Sequence, residues 1–165
     1  MTKNFMFEPD VAAKTIQLSI EFSAPIEKVW RAFTEVELLE KWMAPKPMTI
    51  NFKVMDFRVG GMWLYSMGMP GEHKGGCSRA DFTEIEYCRL IVSTNMFTDE
   101  HGNAPEGAPK SQTETRFSST EDNGTKVEVV KIFTKEETVT LFAENGFKEG
   151  TLMGYEQLDE LLASE

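Results

Sequence analysis

Residues 15–22, TIQLSIEF, alternate without a break, with Ile16, Leu18, Ile20 and Phe22 on one parity. That is the signature of a strand with one buried face. The period then changes. In SAPIEKVWRAF, Ile26, Val29, Trp30 and Phe33 stand at i, i+3, i+4 and i+7, the stripe of an amphipathic helix. Ser23 is a candidate cap there, and Pro25 suits an early helical position. Leu38, Leu39 and Trp42 continue as a second short helix of shifted phase. The run APKP, Ala44 to Pro47, ends helical structure.

Alternation returns in MTINFKV, where Met48, Ile50, Phe52 and Val54 share one face. Gly60-Gly61 predicts a tight turn into a strand that ends at Pro70-Gly71. Further strands are expected near residues 79–86, 89–97, 110–119 and 125–134. DEHGNAPEGAP is a loop by its glycine and proline content, and Asn123-Gly124 marks a hairpin. Thr134 and Glu137 have the spacing of a capping box. A helical piece follows to about Glu144, Asn145-Gly146 interrupts it, and a helix runs from Phe147 to the end with Leu158, Leu161 and Leu162 as its seam. Gly150 and Gly154 share one face of that helix, where they either admit close backbone packing or leave room beneath it. The order predicts an α+β fold, a curved antiparallel sheet with the C-terminal helix across its concave face. Residues 1–14 are expected to be an N-terminal arm and 15–165 a single domain.

One stretch departs from simple alternation. After the glycine pair the chain reads MWLYSMGM, with bulk on both parities. Either both faces of this strand are covered, or one lines an enclosed space.

Composition narrows the functions. With 27 acidic against 17 basic side chains the net charge is -10, which disfavours nucleic acid and anionic membranes as partners. No apolar run approaches the roughly 20 residues of a membrane span, and MTKNFMFEPD has neither the apolar core nor the cleavage site of a signal peptide. Two cysteines, Cys77 and Cys88, make no disulfide framework and suit a reducing compartment, so a cytoplasmic location is expected. Ten methionines and twelve phenylalanines are many for this length. They serve either as adaptable core fillers or as an apolar binding surface.

Candidate chemistry is sparse. His73 and Cys77 are four apart, but no second pair completes a tetrahedral zinc set. His101 sits in a Gly-rich loop, and neither cysteine has the context of an activated nucleophile. Glu84 and Glu86 read as like charges on an exposed strand face. Asp56 and Arg58 either fix the turn or meet a polar ligand group. Gly60-Gly61 lacks the length and the lysine of a phosphate loop. No enzyme signature emerges, and no metal or cofactor is expected.

Four segments in order, SAPIEKVWRAFTEVELLEKWMAP, VMDFRVGGMWLYSM, FTEIEYCRLIVS and NGFKEGTLMGYEQLDELL, resemble the motifs of the SRPBCC superfamily. The subfamily is the one named for the activator of the heat-shock-chaperone ATPase. The resemblance runs from about Thr15 to Leu162. It implies the START-like helix-grip fold, also seen in birch pollen allergen, in which a seven-stranded antiparallel sheet wraps a long C-terminal helix over an apolar cavity. Asp56, Arg58, Gly60 and Gly61 match the family's turn, Trp63, Tyr65 and Met67 its apolar strand positions, and Trp30 and Trp42 its helix aromatics. Phe147, Met43 and Ala80 depart from the pattern, standing where tryptophan, tryptophan and glycine are common. Such changes of bulk would reshape a cavity.

Three functions follow from the resemblance. The first is binding of a hydrophobic small molecule in the cavity, with Trp63, Tyr65 and Met67 inward by strand parity, Phe82 and Phe97 from neighbouring strands, and Gly150 and Met153 from the last helix. The second is a co-chaperone-like interaction with a heat-shock ATPase. Eukaryotic members of that kind make much of this contact through a separate N-terminal domain, and with about fourteen residues before its first expected strand this chain is not expected to have it. The third is a cyclase or hydrolase, which would need an ionisable group of shifted protonation inside the cavity. With Trp63, Tyr65 and Met67 inward, Met62 and Leu64 require cover from outside, for which a second copy of the chain, as a homodimer, or the N-terminal arm is expected.

Overall fold

A computed structural model describes residues 3–72 and 76–164. The metal pairing weighed for His73 lies outside the described residues. In chain order the elements are β1 (Lys3–Asp10), β2 (Thr15–Phe22), α1 (Ile26–Thr34), α2 (Val36–Trp42), β3 (Thr49–Met55), β4 (Met62–Gly68), β5 (Cys77–Glu86), β6 (Leu90–Thr98), β7 (Lys110–Ser119), β8 (Thr125–Phe133), α3 (Glu136–Glu144) and α4 (Phe147–Ser164). All the strands form one antiparallel sheet in the order β1-β2-β8-β7-β6-β5-β4-β3. The helices α1 and α2 carry the chain from β2 across to β3 at the far edge. The sheet curves around α4, whose Tyr155, Leu158 and Leu162 are buried in the same core as Leu18, Ile20 and Phe22 of β2. This is the helix-grip arrangement.

Among the described residues the sheet has eight strands rather than seven, because the expected arm is itself a strand. Residues of β1 pair with β2 in register from Met6↔Ser19 to Asp10↔Thr15. Phe5 and Phe7, alternate residues of β1, turn towards the core. The Phe5 ring lies 6.4 Å from that of Tyr155 and the Phe7 ring 6.0 Å from that of Phe147. Pro9 is tolerated because β1 is an edge strand, where a missing N–H leaves no gap in a central ladder.

Two capping expectations are corrected. Helix α1 starts at Ile26 with Pro25, not Ser23, at the cap position, in extended conformation. In α3 the cap position falls on Lys135, one residue past Thr134, so the Thr134–Glu137 box does not form. The turn before β4 is built as its residues suggest. Gly60 takes φ +86°, and a Cβ on Gly61 would collide with the Asp56 carbonyl oxygen. Arg58 Nε donates to both Asp56 carboxylate oxygens at 3.0 Å, and Gly60 N–H donates to the Phe82 carbonyl at 3.0 Å, tying the turn to β5. Asp56 and Arg58 therefore hold the turn.

The double-sided bulk of β4 has its explanation within one chain. Trp63 and Tyr65 face the helix, while Leu64, on the opposite parity, is only 3 % exposed. The loop between β6 and β7 folds over it, with Gly102 packed against the Leu64 methyls, as a Cβ there would stand 3.6 Å from one of them. Arg79, paired with Leu64 across the β4–β5 ladder, fixes the loop by donating from Nη1 to the Gly102 carbonyl at 2.8 Å. Asp99 Oδ1 closes the loop by accepting from the His101 and Asn103 amides at 2.8 and 2.9 Å. Neither the N-terminal residues, which lie at the other edge of the sheet, nor a second copy is needed for this cover.

Candidate functional site: a cavity between sheet and helix

The concave face of a strongly curved sheet is wider than one helix can fill, and α4 has small residues where it crosses. Gly154 packs against the end of α2, where a Cβ would stand 3.3 Å from the Trp42 carbonyl oxygen. Beside Gly150 there is more room, the nearest atom to such a Cβ being Pro45 Cγ at 3.7 Å. Beneath these glycines lies a cavity of about 300 Å³, walled by β4–β8, by α2 and by the start of α4.

Its floor follows the ladder. Phe82, Ser93, Thr113 and Lys131 stand directly opposite one another on four successive strands, β5 to β8. Trp63, Ala80 and Asn95 form the neighbouring row. The first part of this surface is apolar and aromatic, with Trp63 and Phe82 edge to face at 5.0 Å between ring centres. Trp42, Phe33 and Tyr155 close it from the helices. The indole N–H of Trp63 is buried without a hydrogen-bond partner among the described residues.

The other part is polar. Lys131 Nζ donates to Thr113 Oγ1 at 3.0 Å, Thr113 Oγ1 donates to Asn95 Oδ1 at 2.6 Å, and Ser93 Oγ donates to the same oxygen at 3.2 Å. The ammonium also lies 5.9 Å from the centre of the Phe147 ring, a cation–π contact. No carboxylate pairs with Lys131 among the described residues. Burial pushes its pKa down to about 8. Burial likewise pushes the phenols of Tyr155 and Tyr65 up, the latter against a hydrogen bond with Ser78 that favours ionisation.

Lys131, Asn95, Tyr65 and Phe147 also border a second space of about 210 Å³, towards the ends of β5–β7 and α3. The charged residues on the walls of the two spaces are Lys131, Arg79 and Lys110, and neither wall holds an aspartate or glutamate among the described residues. Arg79 and Lys110 share the outward row with Leu64, so in a chain of net charge -10 Lys131 is, among the described residues on these walls, the charge of inward parity.

Of the residues that parity and the family resemblance single out, Trp63, Tyr65, Met67, Phe82 and Gly150 come together on the cavity wall. Met67 stands at its rim, 37 % exposed. Phe97 and Met153 do not join them. Phe97 has the inward parity but lies opposite Ser78 near the end of β6, where it is 57 % exposed beside the second space. Met153 is 45 % exposed, because the face that α4 turns to the cavity is set by Phe147, Thr151, Gly154 and Tyr155. The residues not foreseen are Ser93, Asn95, Thr113 and Lys131. Their signal was parity: in TKVEVVKIF the lysine shares a face with Val127, Val129 and Phe133. Phe147, Met43 and Ala80, the departures from the family pattern, all line the cavity.

Comparison with known proteins supplies the relationship. The family model described as "Activator of Hsp90 ATPase homolog 1-like protein" matches residues 23–163. The chain belongs to this family. Structures similar to this family member include a solution structure of a protein from Arthrobacter aurescens, with 28 % identity, TM-score 0.84 and coverage of 97 % of this chain and 92 % of that one. A crystal structure from Nitrosomonas europaea has 28 % identity, TM-score 0.76 and coverage of 93 % and 96 %. A crystal structure from Mycobacterium smegmatis, at 23 % identity, TM-score 0.85 and coverage of 96 % and 97 %, shares the fold. No curated protein matches the chain. Among the described residues no helix is long and apolar enough to cross a membrane.

Proposed function

We propose that this family member binds a small hydrophobic molecule in the cavity between the sheet and α4, without transforming it. The observation that carries the reading is the unfilled space itself. Trp63, Phe82, Phe33 and Trp42 converge on it, yet about 300 Å³ is left open. Apolar walls with a few placed polar groups are the usual construction of a small-molecule site, and the volume is at the low end of the roughly 300–1,000 Å³ such sites span. A compact ligand suits it better than a two-chain lipid. A catalytic reading finds less support, since the wall offers Lys131 but no histidine, cysteine or carboxylate to act with it among the described residues. Tyr65 and Tyr155 stay protonated near neutral pH. The co-chaperone reading rests on the family's description alone.

Titration with N-phenyl-1-naphthylamine, an uncharged apolar fluorophore, tests the proposal. Saturable one-to-one binding, accompanied by quenching of the cavity tryptophans Trp42 and Trp63, is expected. A linear, non-saturating response with no change in tryptophan emission would dismiss it.

A further inference from the structure

We infer that the cavity selects ligands carrying a carboxylate, which Lys131 and the side-chain amide of Asn95 receive at the polar end of an otherwise apolar chamber. This rests on the cavity-binding reading above and adds the ligand class to it.

Asn95 Oδ1 already accepts from Thr113 and Ser93, and Thr113 Oγ1 accepts from Lys131. The amide oxygen of Asn95 and the hydroxyl of Thr113 are thus engaged as acceptors from within. The donors are not. The Asn95 amide nitrogen makes no hydrogen bond among the described residues, and the Lys131 ammonium, which has three N–H groups, donates only to Thr113. A group that fits here must accept hydrogen bonds.

Charge sharpens the choice. An ammonium taken out of water without a counter-ion is costly, and a hydroxyl with one aromatic face offsets only part of that cost. Facing Lys131 from β4 and α4 are two phenols held protonated. Arg79 and Lys110, which border the adjoining space, share the outward row with Leu64, Arg79 being committed there to Asp81 at 3.0 Å and to the Gly102 carbonyl. Among the described residues, nothing in the walls supplies the missing negative charge. A ligand carboxylate would supply it, with a charge-assisted bond to Nζ and a second bond from the Asn95 amide. One cation with one amide donor matches a monoanion, while the ligand's apolar body would lie on Phe82 and Trp63.

The test is calorimetric titration of the full chain with decanoate, methyl decanoate and decanol, each below its aggregation concentration, against wild type, Lys131→Met and Asn95→Ala. Wild type is expected to bind decanoate about tenfold or more tighter than decanol or the ester, the range of a charge-assisted bond. Lys131→Met should erase that preference, so that decanoate binds no tighter than decanol, with a native-like circular dichroism spectrum and a cooperative melt reporting that the variant is folded. Asn95→Ala should reduce it several-fold. If wild type binds all three ligands equally, or if Lys131→Met retains the preference for the acid, carboxylate selection is overturned and the cavity reading stands. If none of the three binds, both fall.

Discussion

Lys131 and Thr113 face each other across the β7–β8 ladder, and the lysine ammonium donates to the threonine hydroxyl at 3.0 Å inside an apolar cavity. The same register puts Ser93 opposite Thr113 and Phe82 opposite Ser93. One line of the sheet therefore passes from cation to aromatic ring within four strands. Such a line gives an amphipathic molecule an orientation, because its two ends meet different chemistry.

The lysine should be costly to the apo protein. Its pKa is about 8 in the folded chain against 10.5 when free, so between those values the unfolded chain holds more protons. Stability then rises with pH through that window, is fully restored above about 10.5, and is lost as pH falls to 8. The penalty at neutral pH is at most about 3 kcal/mol from a shift of this size. Urea denaturation of Lys131→Met at pH 7 should show a gain of about 1–3 kcal/mol. Between pH 8 and 10 the variant should lose this part of the wild-type slope. An equal or lower stability for the variant at pH 7 would mean that the ammonium is already compensated.

Filling the cavity should separate binding from folding. Thr115 lines it on β7, between Val129 of β8 and Ile91 of β6. Thr115→Leu adds bulk to open space rather than to a packed core, so stability should change by no more than about 1 kcal/mol. Affinity for an apolar ligand should fall about tenfold or more for the displaced volume. Titration with the uncharged fluorophore and a thermal melt on the same sample read both quantities. A large loss of stability would show that the space is smaller than its walls imply.

How much of this was legible in the chain differs by feature. Strict alternation in TIQLSIEF and the Gly60-Gly61 turn placed β2 and β4 within a residue or two of their observed bounds, because a half-buried strand leaves its pattern in the sequence. In β1 only Phe5 and Phe7 repeat on one parity, with Pro9 soon after, and so short a pattern does not distinguish an edge strand from a tail. Lys131 carried a parity signal, yet lysine on a strand ordinarily marks the solvent side. The cover over Leu64 left no local trace, since it depends on Arg79 meeting a carbonyl 23 residues away. Which inward residues line space and which are simply packed was also beyond the pattern, for Phe97 has the right parity and the wrong end of the strand.

Arg79→Ala tests that cover. The guanidinium binds Asp81 and the Gly102 carbonyl, and its stem lies beside Leu64. Losing both the bond and the packed stem should cost about 1–2 kcal/mol. Backbone amide exchange should quicken at His101 and Asn103, whose bonds to Asp99 depend on the loop staying down. Unchanged exchange there would mean that the Asp99 turn holds the loop without the arginine.

Phe7 links the first strand to the proposed ligand site. Its ring is 6.0 Å from that of Phe147, which in turn lies under the Lys131 ammonium at 5.9 Å. If residues 3–10 act as an integral strand, Phe7→Ala should destabilise the fold by about 1–3 kcal/mol, the lower part of the range for large-to-small changes because the ring is only half-buried. Met6, on the opposite parity and 51 % exposed, provides the control: Met6→Ala should stay within about 0.5 kcal/mol of wild type. The Phe7 change should reach further than stability. With Phe147 less well supported, the cation–π contact loosens, and decanoate affinity should weaken several-fold more than decanol affinity. Equal weakening of both ligands would place Phe147 among the apolar walls alone, and no effect on either stability or binding would return residues 3–10 to the status of a free arm.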